Sequence, residues 1–269
     1  MYEDGLRPVL KYAERNRVPV VSPLATVKDE RSPVLYQMAP SQQTKYVKLL
    51  EMLSGDKNII YVSTAKPDTD MDENLRPLLP SATSTVTYSK QLTANALSQK
   101  LNRSKDNIFI ISCDDEFTVD EILAKLSSMQ NNIVARGAAG LSISIVGNSR
   151  WARFRGNMDR DLYFKLKLCY VASTHSDRSD GRVKSFDTNY IKAYEALPSQ
   201  YAYRGYDAAK LFVSAARTPG MNFTNKLNTS ETPLLQMKYH FVSEGRGDTF
   251  VNDNWALVCY GSDYTIEVR

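Results

Sequence analysis

Acidic residues provide the side chains whose types and spacing could support chemistry. Asp114, Asp115 and Glu116 directly follow the apolar run NIFIISC, which is predicted to be a buried strand. Ligands bind at the carboxyl ends of strands in open α/β sheets, and magnesium-dependent phosphate enzymes keep carboxylates there. The same residues can also form the negatively charged first turn of the next helix, and this interpretation is favoured. If the chain is an enzyme, this cluster is its first candidate catalytic site.

A second acidic run matches a calcium-binding loop only in part. Asp68, Asp70 and Asp72 form a D-x-D-x-D pattern. A calcium loop needs glycine at its sixth position for a sharp turn and a bidentate carboxylate at its twelfth. Glu73 and Leu79 stand at these positions, so no calcium site is predicted.

Other catalytic signatures are missing. The sequence contains no G-x-G-x-x-G, G-x-x-x-x-G-K-[ST] or G-x-S-x-G pattern, which are the loops that bind dinucleotides, cradle nucleotide phosphates or present a nucleophilic serine. The two histidines, His175 and His240, are predicted to be ordinary surface or half-buried residues. The sequence therefore predicts a protein that is not an enzyme and that holds no cofactor or metal.

Charge and hydropathy exclude several classes of partner. The chain has 269 residues and a formal net charge of +4, and its Lys and Arg residues are scattered. This distribution argues against nucleic-acid binding. No stretch approaches the roughly 18 apolar residues of a membrane span, and no secretion leader follows Met1. The chain is expected either to be cytosolic or to lack its leader.

The three cysteines carry little information about compartment. Cys113, Cys169 and Cys259 have no metal-ligand spacing, and two of them lie in predicted buried strands. Small buried thiols are favoured over a disulfide.

The order of apolar segments predicts an α/β protein. A helix is expected over residues 3–16, strands over 18–24 and 34–39, and then alternating strands and helices to residue 174. The strands are continuous apolar runs, which is typical of parallel strands buried on both faces. Thr118 and Glu121 form a T-x-x-E capping box at the best predicted helix start. The last 36 residues are expected to form antiparallel strands.

A polar segment interrupts this order. DRSDGRVK, from Asp177 to Lys184, has no apolar anchor and is predicted to be a linker. A helix from Asp187 to Ala196 should follow, then a loop from Pro198 to Gly205 and a helix from Tyr206 to Ala216.

Small polar residues end several predicted strands. Their hydroxyls and free backbone N–H groups suit a cleft that binds a small polar ligand without turnover, although any single Ser or Thr is more simply a helix cap. The residues are Ser22, Ala25, Thr26, Ser41, Ser63, Thr64, Asp114 and Thr174.

Two phrases, VVSPLAT at 20–26 and YRGYDAA at 203–209, give the chain its resemblance to a known family. With the order of elements, they resemble the type I periplasmic-binding-protein fold of the leucine-binding kind. The segment FVNDNWALVCYGSDYTIEVR is similar to Bacteroidetes envelope proteins that pair such a domain with LysM peptidoglycan-binding repeats. The resemblance spans nearly the whole chain.

The resemblance implies two Rossmann-like lobes of parallel sheet flanked by helices. Residues 1–39 and 178–220 would form the first lobe, and residues 40–177 and 221–269 the second. Crossings between them would fall near 38–41, 177–184 and 220–232. The family's opening strands have no counterpart before residue 1, so the first lobe is expected to be incomplete and the chain N-terminally truncated.

The resemblance also implies a ligand held in an interlobe cleft. Its first-lobe loop corresponds to Ser22–Thr26, and an aromatic and an acid could face the cleft from the segment holding Tyr203, Tyr206 and Asp207. Together with strand ends, the expected ligand-binding residues are Ser22, Ala25, Thr26, Ser63, Thr64, Asp114, Tyr203, Tyr206 and Asp207.

The implied function is a non-catalytic solute-binding or sensing domain of the bacterial periplasm or cell envelope. Its ligand would be small and polar, such as an amino acid or a peptidoglycan fragment. The alternative is an interaction module with a degenerate cleft, which contacts peptidoglycan or an envelope protein during wall synthesis or attachment. A dimer through the incomplete lobe is also expected, and an enzyme acting through the acidic cluster at 114–116 is a third hypothesis.

Overall fold

The computed structural model describes residues 3–24, 31–135, 141–154, 156, 159–219, 222–243, 245 and 248–269, with the backbone alone for residues 3–5. The predicted helix at 3–16 is confirmed, as is the alternation of strands and helices that follows. The helices are α1 (Glu3–Asn16), α2 (Val47–Leu53), α3 (Ala94–Ser98), α4 (Glu116–Ala135), α5 (Asp161–Lys165), α6 (Gly181–Tyr194), α7 (Gln200–Arg217) and α8 (Phe223–Asn228).

The strands form two mixed sheets that are largely parallel. They are β1 (Val20–Ser22), β2 (Leu35–Pro40), β3 (Lys57–Ser63), β4 (Ser84–Thr87), β5 (Asp106–Ser112), β6 (Ile143–Val146), β7 (Leu168–Ala172), β8 (Phe241–Ser243), β9 (Phe250–Asn252), β10 (Ala256–Tyr260) and β11 (Ile266–Val268). One sheet has the order β1-β2-β9-β8 and the other β11-β10-β7-β6-β5-β3-β4. The predicted α/β class with parallel sheets is confirmed.

The antiparallel strands expected at the carboxyl end are also present. β8 pairs antiparallel with β9, and β10 pairs antiparallel with β11. β9 has a second partner, since it runs parallel to β2. The C-terminal strands therefore extend two different sheets.

The chain divides into two compact units. The first comprises residues 1–45 and 173–256, and the second comprises residues 46–172 and 257–269. This division differs from the expected one mainly at the C-terminal end, because residues 222–256 were expected in the second lobe. Pairing of β9 with β2 and packing of Phe241 against Tyr36 place that segment in the first unit. The chain passes from one unit to the other at 45/46, 172/173 and 256/257.

Helices cover both faces of the first unit's sheet. Successive β2 side chains point to opposite faces, so Leu35 packs with Leu6 and Leu10 of α1. Tyr36 and Met38 instead join a buried cluster with residues of α7, α8 and β8. This two-sided burial explains why the run VLYQMAP is apolar at every position except Gln37.

Prolines flank the edge strand of this sheet. β1 pairs only with β2 along its length, and Val20 N–H points to the carbonyl of Val34. Val21 therefore directs its N–H and C=O outward, whereas neighbouring Pro19 and Pro23 have no N–H to donate. Proline at a sheet edge discourages pairing with another chain. The dimer expected through this lobe stays a prediction, and the β1 edge is a poor surface for it.

Three local predictions were wrong. α4 begins at Glu116, ahead of Thr118, because Asp115 acts as the cap: its Oδ2 accepts from Thr118 N at 3.1 Å and from Thr118 Oγ1 at 2.8 Å. The predicted linker ends in a helix, since Asp180 caps α6 by accepting from Arg182 N at 2.7 Å.

The third error concerns α7, which begins at Gln200 although a loop was predicted up to Gly205. A glycine inside a helix costs only about 1 kcal/mol relative to alanine. Tyr203, Arg204 and Asp207 on either side of Gly205 are buried, and their packing outweighs that cost.

The cysteine prediction was also wrong for two of the three residues. Cys169 of β7 and Cys259 of β10 form a disulfide between neighbouring strands, whereas Cys113 is a buried free thiol as expected. Sequence spacing could not show this, because the two cysteines are 90 residues apart.

Breaking this disulfide should destabilise the second unit. Cross-links of long loops typically contribute about 2–4 kcal/mol to the free energy of unfolding. We expect a loss of this size in denaturant titrations, either on reduction or in a Cys169→Ala/Cys259→Ala variant, whose stability should no longer respond to reductant.

Cys113→Ala is the matched control. It should lower stability by removing a buried side chain, yet keep the full difference between oxidised and reduced protein. Thiol titration of the unfolded, unreduced wild type should find one free thiol, and finding three would contradict the disulfide.

Candidate functional site

A cavity of about 170 Å³ lies in the first unit. Its lining combines four apolar side chains with four polar ones and includes one formal charge, that of Arg204. The lining residues are Leu24, Ala39, Pro40, Ser173, Thr174, Gln200, Tyr201 and Arg204. Pockets for drug-sized molecules measure roughly 300–1,000 Å³, so this cavity suits a smaller solute.

The start of α7 supplies three of these residues. Gln200 and Tyr201 are the first two residues of the helix, and Arg204 follows one turn after Gln200 on the same face. Ser199 precedes them at the N-cap, but its side chain makes no capping hydrogen bond. The first N–H groups of a helix have no partner within it and favour negative charge nearby.

Arg204 is the most unusual residue of the lining. Only 8% of its surface is exposed. Its Nε donates to Gln236 Oε1 at 3.1 Å and its Nη1 donates to the Pro23 carbonyl at 2.9 Å. Both acceptors are neutral, and Nη2 has no hydrogen-bond partner among the described residues. A guanidinium carries five N–H donors, so this buried cation keeps unused donor capacity.

The other walls come from strand ends. Ser173 and Thr174 directly follow β7, while Ala39 and Pro40 end β2. Leu24 and Tyr201 add apolar surface and are more than half exposed, at 56% and 59%. The cavity thus places hydroxyls and one cation beside apolar walls.

Asp207 lies one turn beyond Arg204 and is fully buried. Its Oδ1 accepts from Leu235 N at 2.7 Å, and its Oδ2 accepts from Gln236 N at 2.9 Å. Gln236 in turn accepts from Arg204. Both oxygens of Asp207 are therefore used to hold the loop before β8 against α7.

Burial raises the pKa of the Asp207 carboxyl group to about 6. The N–H groups of Leu235 and Gln236 and the charge of Arg204 lower the pKa, but less than burial raises it. Asp207 therefore holds a proton in the folded protein at pH values where an ordinary aspartate is ionised.

Of the ligand-binding residues that the resemblance implies for the first unit, Ser22, Tyr203, Tyr206 and Asp207 do not line this cavity. Ser22 ends β1 and is half-buried, and Ala25 and Thr26 lie outside the described residues. Tyr203 donates to Asp187 Oδ1 at 2.5 Å, and Tyr206 packs on Phe186 with ring centroids 5.1 Å apart. Asp207 holds the loop described above.

The predicted residues of the second unit lie close together at the carboxyl ends of β3 and β5. Ser63 Oγ bonds Thr87 Oγ1 at 3.3 Å, and Thr64 Oγ1 donates to the Ser112 carbonyl at 2.9 Å. Asp114 accepts from Asn148 Nδ2 at 2.7 Å and forms an ion pair with Arg150. An interlobe cleft would combine residues of both units, and it stays a prediction.

The acidic residues of the two clusters form hydrogen bonds or ion pairs with other residues of the chain. Lys66 and Thr118 bond Asp115 and lower its pKa to about 2. Asp68 accepts from Asn148 Nδ2 at 2.6 Å, and Asp72 accepts from Ser112 Oγ at 2.6 Å. Within the described ranges, no group of three or more His, Cys, Asp or Glu residues is arranged to hold a metal ion.

Sequence reasoning found one lining residue, Thr174, by its place at a strand end. It missed Arg204, Gln200 and Tyr201 because these were assigned to a loop. Pro198 and Ser199 were the signal that could have revealed them, since proline and serine are typical of a helix start.

Comparisons with known proteins give limited likeness. No protein-family model matches the chain, and no curated protein matches it either. A candidate branched-chain amino acid ABC transporter from Rhodospirillum rubrum covers 96% of this chain and 74% of its own, at 12% identity and a TM-score of 0.49.

A second solved structure is an ABC transporter substrate-binding protein from Desulfitobacterium hafniense in complex with Leu. The match covers 97% of this chain and 76% of that protein, at 16% identity and a TM-score of 0.43. Of the helices described, none has the length and apolar content needed to cross a membrane.

The raised pKa of Asp207 predicts a pH-dependent contribution to stability. Between about pH 4, the unfolded value, and pH 6, the folded protein holds more protons than the unfolded chain, so this contribution falls as pH rises. We expect the stability advantage of wild type over Asp207→Asn to shrink by up to about 1.4 kcal/mol per pH unit in this window and to be constant above it.

Urea titrations at several pH values measure this difference. Glu195→Gln, at an exposed acid of the same unit, is the control and should leave the pH profile unchanged. A wild-type advantage that is constant from pH 4 to pH 6 would contradict the raised pKa.

Proposed function

We propose that the first unit binds a small anionic solute reversibly and holds its carboxylate on Arg204. The observation that carries this proposal is a guanidinium that is 8% exposed, lines a cavity and, among the described residues, bonds only neutral acceptors. A buried cation that has no carboxylate among its hydrogen-bond acceptors is costly. A ligand carboxylate would supply that acceptor and can accept two parallel N–H bonds from one arginine.

The rest of the lining supports the same class of ligand. The uncapped start of α7 favours negative charge, and the hydroxyls of Ser173 and Thr174 can bond further oxygens of the solute. Leu24, Ala39, Pro40 and Tyr201 can cover an apolar group. Pockets with few polar groups on apolar walls are typical of small-molecule binding.

Binding without turnover fits the lining best. Among the described residues of the lining, there is no Cys, His, Asp, Glu or Lys to serve as nucleophile or general base. The enzyme hypothesis is weakened by bonds at the acidic cluster, where Asp114 pairs with Arg150 and Asp115 pairs with Lys66.

The disulfide supports a location in the periplasm or cell envelope. Disulfides persist in oxidising compartments and are rare in the cytosol, and Cys169–Cys259 ties two strands of the second unit. A solute-binding or sensing protein of the envelope, of the leucine-binding kind suggested by the sequence, is the function that agrees with this location and the cavity.

A second candidate is an interaction module for peptidoglycan, favoured by the surface of α6. Tyr190 and Tyr194 have ring centroids 4.6 Å apart, and Tyr194 is 67% exposed. Leu197, 75% exposed, follows them. An exposed aromatic ring with a half-buried ring beside it can stack on sugars, so this surface suits the LysM-associated wall role.

The two candidate functions predict different binding to purified peptidoglycan. An interaction module should sediment with purified peptidoglycan sacculi, and Tyr190→Ala/Tyr194→Ala should abolish sedimentation, whereas Tyr12→Ala, at an exposed tyrosine of α1, should not. A solute-binding protein should remain in the supernatant.

Anion binding should raise thermal stability. A carboxylate present at 100 times its Kd adds about 2.7 kcal/mol, and each kcal/mol raises Tm by about 2–4 °C for a protein of this size. In a thermal-shift screen of small carboxylates, we expect a clear rise with wild type and none with Arg204→Gln. Arg217→Gln, an exposed arginine in the last turn of the same helix, should behave as wild type.

Arg204 also holds Gln236 and the Pro23 carbonyl, so its loss could destabilise the fold itself. Thr174→Val tests the cavity without touching those bonds and should weaken carboxylate binding several-fold while leaving the ligand-free Tm unchanged. A screen in which no carboxylate stabilises wild type would overturn the proposed function.

A further inference from the structure

We propose that the cavity selects carboxylates that carry no ammonium group, such as 2-oxo acids and simple alkyl carboxylates, over zwitterionic amino acids. This inference rests on the proposed function and names the class of solute for the same site. It follows from the charge of the lining, in which the guanidinium of Arg204 is the only charged group among the described residues.

An α-amino acid presents opposite charges two bonds apart. When its carboxylate lies on Arg204, its ammonium group must lie within a few ångströms of the same guanidinium. Like charges at such distances repel strongly where water is excluded. The ammonium would also leave water, which is costly without a carboxylate to receive it.

Three carboxylates that lie near the lining in sequence, in the described part of the chain, already have partners. Asp177 accepts from Ser179 Oγ at 2.6 Å, and Asp180 pairs with Arg182. Asp187 accepts from Tyr203 at 2.5 Å. None of these acids lines the cavity.

Asp207 is electrostatically coupled to Arg204, and it is equally unable to receive an ammonium. It is fully buried, and both of its oxygens accept backbone N–H groups at 2.7 and 2.9 Å. Among the described residues, the side chains that line the cavity can therefore attract a ligand anion, but they offer an ammonium hydroxyl and amide acceptors and no carboxylate.

The apolar walls set the rest of the ligand class. Leu24 and Tyr201 flank the cavity together with Ala39 and Pro40. These side chains can cover a short alkyl or branched group that extends from the carboxylate. The inferred ligands are thus small amphiphilic carboxylates.

A matched series with one carbon skeleton tests this selectivity. Isothermal titration calorimetry at pH 7.5 would compare 4-methylpentanoate, 4-methyl-2-oxopentanoate, leucine and 3-methylbutylamine with the full chain. We expect both acids to bind at least tenfold more tightly than leucine, and the amine not to bind.

Adding a negative charge to the lining should weaken the preference for carboxylates without an ammonium group. Gln200→Glu keeps the shape of the side chain and places an acid at a helix start, where it is stable. It should narrow the ratio of acid to leucine affinity at least fivefold. Gln43→Glu adds the same charge at an exposed position of the first unit that does not line the cavity, and it should leave the ratio unchanged.

The outcomes separate the inference from the proposed function. Leucine binding as tightly as the two acids would overturn the selectivity while leaving anion binding in place. If Gln200→Glu leaves the ratio of acid to leucine affinity unchanged, the selectivity is also overturned, because the charge of the lining would then not cause it. If neither acid nor leucine binds, both the inference and the proposed function are wrong.

Discussion

A buried guanidinium and a buried carboxylate, one turn apart on α7, hold the first unit in its observed form. Asp207 accepts two backbone N–H groups of the loop before β8, and Arg204 bonds the Gln236 side chain of the same loop. Leu235 is thereby fixed against Val183 and Tyr203. Without Arg204 and Asp207, the backbone N–H groups of Leu235 and Gln236 would be buried without acceptors. Leu235 would also lose its fixed position against Val183 of α6 and Tyr203 of α7.

This arrangement gives Arg204 two tasks. Its bonds to Gln236 and to the Pro23 carbonyl join the loop, α7 and the end of β1, while its Nη2 has no acceptor in the described part of the chain. Because the side chain is already fixed by these bonds, a ligand anion would meet a preorganised donor set and would not have to order a flexible arginine. The same coupling means that affinity and stability cannot be varied independently at this residue, whereas Thr174 affects the cavity alone.

The sequence predicted the architecture better than the site. Continuous apolar runs such as NIFIISC identified parallel strands, because a strand that is buried on both faces has apolar residues at successive positions. The cavity depends on α7 starting at Gln200. Gly205 led to the prediction of a loop there, since glycine disfavours a helix, but the packing of the buried residues Tyr203, Arg204 and Asp207 stabilises the helix across this position. Asp207 was expected to face a ligand, yet its partners are backbone N–H groups some 28 residues away, and side-chain type alone cannot reveal such partners. Pairing of Cys169 with Cys259 likewise depends on strand order, which spacing does not show.

The disulfide also changes how the chain is connected. Cys169 and Cys259 bracket residues 173–256, which are the whole second contribution of the chain to the first unit. In covalent terms, this contribution is a closed loop whose two ends are joined within the second unit. A single proteolytic cut in the loop would leave both fragments attached. A pulling force applied between the chain ends would pass through the sulfur atoms and bypass the loop, so the helix that carries Arg204 would be shielded from mechanical load.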